Sequence, residues 1–332
     1  MRTLTIALLF LCLGGSTLAQ QTAEPDPWFS TFSITAFDPA TNDLGVAVAS
    51  RPNGAGAAVL WAEAGVAAIA TQAGANRTYG PKAVALIKQG LSPAEVVKKI
   101  TDEDPGRESR QVAVIDMKGR TGVYTAKSIL DRSTVNYAGS IEGKNYSVQG
   151  NTLASEAVVK AMAAAYEAGE GKPIEERLMD ALDAGNDKGG DARGMGSAGI
   201  LVVRPVPPTD IASIGRRVDI RVDNHENPFK EMRRILNMSL SGRYTTRANE
   251  LAQQGKFAEA LVEQKKAFDM NPSAQIRYGL AQRYAQVGEY LNALRHLEEA
   301  IKAQANLKQM AASNTVFDKM KEFVEFKRLI SQ

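Results

Sequence analysis

The sequence predicts a layered α+β domain followed by an all-helical repeat region, and two patterns carry that expectation. Across residues 31–203, runs with apolar residues at every second position fall into two groups, with pairs of helix-period runs between them. That order suits sheets covered by helices better than a doubly wound parallel sheet. In residues 243–332 the strand pattern stops and a helical motif recurs: Gly255, Phe257, Ala260 and Ala267 return as Gly288, Tyr290, Ala293 and Ala300, each 33 positions on. A small residue at a turn, an aromatic two places later and alanines at close helix contacts are tetratricopeptide chemistry, near its usual period of about 34.

The elements follow in order. Residues 1–19 read as an export signal: Arg2 supplies the positive start, residues 6–13 the apolar core, and Thr17, Leu18 and Ala19 a small-residue cleavage site. Residues 20–30 are expected to be a short pro-segment or linker. The folded domain, residues 31–240, opens with TFSITAF and LGVAVAS around the turn-rich DPATND, a hairpin signal. If the turn centres between Ala40 and Thr41, Thr31 faces Ser50 and neighbours Arg51. VAAIATQ is a third strand. YGPKAVALIKQG and SPAEVVKKITDED are helices, the second capped by Ser92 with Pro93 and Glu95 in its first turn. RQVAVID and GVYTA form another hairpin and YSVQGN a short strand. Two amphipathic helices then precede the closing strand SAGILVVRP. A proline-rich loop, the strand VDIRVDN and the helix PFKEMRRILNMSL complete the domain. Residues 317–329 are expected as one last helix after the repeats.

Composition removes whole classes of chemistry. Cys12 is the only cysteine and lies in the export signal, so the mature chain would have no disulfide, thiolate nucleophile or cysteine-bound zinc. Histidine occurs only at His225 and His296. An imidazole-driven serine triad or two-histidine metal site within residues 31–205 is therefore excluded. Forty basic and 37 acidic residues give a formal charge of +3 without a basic block, which argues against a nucleic-acid partner. No later stretch is apolar for the roughly 18 residues a membrane-spanning helix needs.

A hydroxyl nucleophile in such a domain needs another base. A threonine at a chain start can use its own α-amine, whose pKa of roughly 7.7–8.0 suits that role. Thr31 becomes such a nucleophile if residues 1–30 are removed, and Arg51 would then lower the amine pKa and steady an oxyanion. Otherwise Thr31 simply starts a strand and Arg51 is a solvated strand end. Gln72, Asn76 and Tyr79 of TQAGANRTYG are neutral polar groups suited to an amide or carboxylate, or ordinary turn residues. Gln149 and Asn151 in YSVQGN could serve an oxyanion hole or cap the following helix. GMGSAG has dinucleotide-loop spacing but follows a helix and precedes a strand, which is the wrong context. Its loop leaves Asp191 and Arg193 as an ion pair or as polar groups at a pocket mouth.

Taken in order, TFSITAFDPATNDLGVAVASR, ATQAGANRTYGP, DPGRESRQVAVID, NYSVQGNTLA, GGDARGMGSA and DIRVDNHENP resemble the domain-of-unknown-function 1028 family over residues 31–240. The resemblance implies a four-layer αββα sandwich similar to N-terminal nucleophile hydrolases. Members that begin Met-Thr-Phe-Ser expose their threonine by methionine removal, and Thr31 matches that threonine. The chain departs from the family pattern at Gly196, Ala126 and Ser140. Two functional expectations result. One is an exported amidohydrolase, periplasmic or extracellular, acting on a small molecule or peptide amide without metal or cofactor; Ser50, Gln72, Asn76, Tyr79, Gln149, Asn151, Asp191 and Arg193 would line its substrate site. The other is a non-catalytic exported binding or scaffold protein. In either, the repeats could recruit a protein partner, and a homo-oligomer is compatible with both.

Overall fold

The computed structural model describes residues 31–131, 136–191, 194–206 and 215–331. The expected export signal, the segment 20–30 and Arg193 lie outside the described residues. The chain is a mixed α+β structure with two antiparallel sheets and a helical C-terminal region.

The first hairpin has the predicted register. β1 (Thr31–Asp38) pairs with β2 (Asp43–Ser50) so that Thr31 lies opposite Ser50. Its turn is closed by Asp38, whose carboxylate accepts the Ala40 amide and the Thr41 hydroxyl. Asn42 takes a left-handed φ of 59°, a conformation that asparagine tolerates better than most residues. Next come α1 (Ala55–Val59), β3 (Leu60–Glu63) and β4 (Ala67–Ala73). The first two are too short to leave a periodic signal and were not anticipated. α2 (Tyr79–Lys88) and α3 (Pro93–Asp102) follow, the latter with the expected capping box: Ser92 Oγ accepts the Glu95 amide, and Glu95 Oε2 accepts the Ser92 amide.

β5 (Arg110–Asp116) and β6 (Thr121–Thr125) lead through α4 (Lys127–Asp131) to β7 (Tyr137–Gly143) and β8 (Tyr146–Leu153). β7 is an edge strand holding two glycines, which dilute its alternation. α5 (Ala157–Ala168) and α6 (Ile174–Asp187) precede β9 (Ser197–Val203) and β10 (Arg216–Asp223). The larger sheet has the order β10-β9-β2-β1-β8-β7, the smaller β3-β4-β5-β6. β1 is therefore an interior strand hydrogen-bonded on both edges.

Alternation along β1 divides its side chains between two environments. Phe32, Ile34 and Ala36 belong to a core with Met162, Leu178 and Leu182 of α5 and α6. Thr31, Ser33 and Thr35 point the other way, where Ser33 meets Gln72 of the smaller sheet. Leu44, Val46 and Val48 of β2 pack with Leu60, Ala68, Ala70 and Ile115 of the smaller sheet. That sheet's opposite face packs Ile69, Val112 and Val114 against Tyr79, Val96 and Ile100 from α2 and α3. Each fully buried aliphatic or aromatic side chain contributes about 1.5–3 kcal/mol.

Beyond the sheets, α7 (Pro228–Gln253) runs unbroken for 26 residues, past position 240 where the first domain was expected to end. Ser241 and Gly242 do not stop it. Phe229, Met232, Leu236 and Leu240 anchor its first half in the core under the larger sheet, and this packing offsets the roughly 1 kcal/mol cost of a helical glycine. α8 (Phe257–Met270), α9 (Ala274–Gln286) and α10 (Tyr290–Ala303) follow. α8 and α10 have 14 residues each, follow glycines at positive φ, Gly255 and Gly288, and bury their two equivalent alanines completely. The expected single helix over residues 317–329 is instead α11 (Leu307–Ser313), a 3-10 turn (Thr315–Met320) and α12 (Val324–Ser331). Burying Phe317, Met320 and Phe326 in one cluster requires that break.

Candidate active site

Thr31 lies on the interior strand β1 with a cross-strand neighbour on each side: Ser50 on β2 and Asn151 on β8. Only 2% of its surface is exposed, and its Oγ1 lies 2.9 Å from Ser50 Oγ. From the smaller sheet, Gln72 Nε2 donates to the Thr31 carbonyl (3.3 Å) and to Gln111 Oε1 (2.7 Å). Thr31 is thus the junction where three strands of one sheet meet a side chain from the other.

A chain of neutral polar groups extends inward from it. Ser33 Oγ donates to Gln72 Oε1 (2.5 Å) and accepts from Gln149 Nε2 (2.6 Å). Gln149 Oε1 accepts from Ser147, whose hydroxyl is 2.9 Å from Thr35 Oγ1. At the centre, the fully buried Gln111 accepts from Gln72 and from Asn151 Nδ2 (2.9 Å) and donates to Thr125 Oγ1 and to the Gly150 carbonyl. All four of its hydrogen-bonding positions are used. Gln111→Leu leaves the Gln72 and Asn151 amides short of an acceptor and should lower stability by about 1–3 kcal/mol, measured by urea denaturation. An unchanged midpoint would mean the network is not held by Gln111.

The other anticipated residues divide. Asn76 and Tyr79 turn toward Asp104, which accepts from Asn76 Nδ2 (3.0 Å), Tyr79 Oη (2.8 Å) and Arg110 Nε (2.8 Å), and from the Gly106 amide at its second oxygen. The Arg110 hydrogen bond holds the Asp104 carboxyl well below the usual carboxylate range. Burial and this same carboxylate push the Tyr79 phenol far up, so it stays a protonated donor. The exposed Arg51 follows the buried Ser50 just past the end of β2, where Gly196 N bonds the Ser50 carbonyl. A side chain at 196 would put its Cβ 2.2 Å from the Arg51 carbonyl oxygen, so glycine here permits a close backbone approach. Asp191 is buried and forms a β-bridge with Leu153, which brings the glycine-rich loop to the end of β8 that carries Asn151.

Ser33, Gln111, Thr125 and Ser147 were not singled out from the sequence. For Ser33 and Ser147 the signal was available as polar residues alternating with Thr31 on β1 and with Gln149 and Asn151 on β8, whereas Gln111 and Thr125 lie opposite each other on β5 and β6 of the smaller sheet. His225 caps its own turn, accepting the Asn227 amide at Nδ1. Among the described residues, no group of three or more acidic, histidine or cysteine side chains could hold a metal ion. Nor is any described helix long and apolar enough to cross a membrane.

Residues 31–232 match the model of a family of unknown function, DUF1028. Among solved structures, the chain is similar to a protein of that family from Silicibacter pomeroyi, with 29% identity and a TM-score of 0.54 over 62% of this chain and 84% of that one. It also aligns loosely with Anbu, an ancestral β-subunit, from Yersinia bercovieri, at 13% identity and a TM-score of 0.30 over 60% of this chain and 90% of that one, too distant to carry an argument. No curated protein matches.

Proposed function

The chain belongs to the DUF1028 family, and from that premise we propose that it is an exported amidohydrolase of the N-terminal nucleophile type, with Thr31 as its nucleophile. The observation that carries this is the position of Thr31: on an interior strand, paired with both Ser50 and Asn151, its hydroxyl against Ser50 and its carbonyl held by Gln72, beside the hydroxyls and amides of Ser33, Gln111 and Gln149. The described partners of Thr31, Ser33, Gln72 and Gln111 are hydroxyl, amide and carbonyl groups, and in this reading the base is the α-amine that cleavage before Thr31 would create. The order of helices, larger sheet, smaller sheet and helices supports the αββα sandwich such enzymes use, and the matched α8 and α10 support a tetratricopeptide-like module after it.

In this reading the Thr31 hydroxyl attacks the substrate carbonyl while the amine takes its proton and later returns it to the leaving nitrogen. Ser50 orients the hydroxyl. Gln72 has both amide hydrogens engaged and Asn76 serves Asp104, so they position the strand ends rather than the oxyanion. Stabilising the oxyanion falls to Arg51 and to the amide hydrogen of Asn151 that Gln111 does not take.

The N-terminus of protein purified from the export compartment tests the reading. Intact-mass analysis should give a chain starting at Thr31. A mature chain starting at Gln20 would sink the terminal-amine mechanism. It would favour instead a non-catalytic exported binding or scaffold protein, a reading that draws on the near-complete burial of Thr31.

A further inference from the structure

Arg283 on α9 is 93% buried by exposure of 7%, yet among the described residues no carboxylate lies within ion-pairing distance of it. Its Nη1 donates to Gln286 Oε1 and its Nη2 to Asn249 Oδ1, both at 2.6 Å, while Nε is buried without a partner. Four other part-buried guanidinium groups are matched to acids: Arg110 to Asp104, Arg204 to Asp43, Arg233 to Asp180, and Arg243 to Glu175. A buried cation without a counter-charge is costly, and at Arg283 nothing offsets the desolvation that pulls its pKa down.

The same guanidinium lines a cleft of about 280 Å³ between α7 and α9, completed by Asn249, Ala252, Gln253 and Gln286. Its polar lining besides Arg283 consists of neutral amides, which can donate as well as accept and can turn to meet an anion. We propose that this cleft is a binding site for a single carboxylate, with Arg283 as its counter-charge and the Asn249, Gln253 and Gln286 amides as supplementary donors. A carboxylate suits it better than a dianion because the lining holds one cation, and a planar acceptor matches the flat guanidinium. The inference is independent of Thr31.

The test uses the full chain with arginine ¹⁵N labelling, following the Arg283 Nε–H resonance at constant ionic strength. Sodium acetate should shift it saturably; neutral acetamide and sodium chloride should not. A peptide ending in aspartate, compared with acetate, separates the sources: tighter binding by tenfold or more assigns a protein carboxylate, equal binding a small free acid. Followed instead on the side-chain amide resonances of Asn249 and Gln286 in uniformly ¹⁵N-labelled chain, the saturable acetate shift should be abolished by Arg283→Gln and kept in part by Arg283→Lys should the glutamine variant fail to fold. A resonance that responds to none of the carboxylates, or responds equally to chloride, overturns the site.

Discussion

In a chain that starts at residue 31, Thr31→Ala is expected to reduce amide hydrolysis by on the order of 10⁴-fold or more, the scale on which removing a nucleophile acts. The alanine chain keeps its free α-amine, so the loss would isolate the hydroxyl. Stability should change little: one buried hydroxyl contact to Ser50 is lost, costing about 1 kcal/mol, or roughly 2–4 °C of melting temperature. A substrate-independent readout is acylation by a β-lactone. The Thr31 oxygen bonds to the lactone carbonyl, the ring C–O bond breaks, and the chain gains the full mass of the probe. The adduct should map to residue 31 in the parent chain and be missing from the variant. Equal labelling of both would assign the chemistry to another residue.

Asp104→Ala should carry the largest stability loss, about 3–5 kcal/mol, because it strands a partly buried arginine and three other donors together. Chemical denaturation checks it; a loss under about 1 kcal/mol would show the hub to be dispensable. The carboxylate also secures the loop that follows Gln72, since Arg110 reaches from Asp104 to the Gly74 carbonyl at 2.5 Å. The pH dependence has a definite sign. The folded-state pKa of Asp104 is depressed, so its stabilisation is fully present above its unfolded pKa of about 3.9 and is lost as pH falls below that toward the folded value. An Asp104→Asn variant should therefore be less stable than the parent at pH 7, with the gap closing below about pH 4. A gap that stays constant from pH 7 to pH 3 would contradict the assigned cause.

Much of the architecture was legible because local rules and the final fold agree. The β1–β2 register follows from turn position and period-two alternation, and Ser92 with Glu95 announced the start of α3. The short α1 and β3 and the edge strand β7 were not legible, since each is held by tertiary neighbours rather than by a strong pattern of its own. The helix PFKEMRRILNMSL was read as ending at Leu240, but α7 continues because it has packing on both sides of Ser241 and Gly242.

For the candidate site the division is similar. Thr31 and Ser50 could be grouped from strand positions, because pairing across a hairpin is set by sequence spacing once the turn is known, whereas Asn151 lies on β8, which no turn joins to β1. Gln72 joining Thr31, and Gln111 joining Asn151, could not be, because those bonds cross between two sheets whose relative placement depends on every packed residue between them. Asn76 and Tyr79 show the converse: adjacent in sequence to Gln72, they face a different carboxylate once β4 ends and the chain turns. By itself, then, the sequence determined the alternation of strands and helices, the register of the first hairpin and the absence of cysteine and histidine from residues 31–205. Which polar side chains meet between the sheets was decided only by the tertiary structure, since periodicity says which face a residue takes but not what lies opposite it.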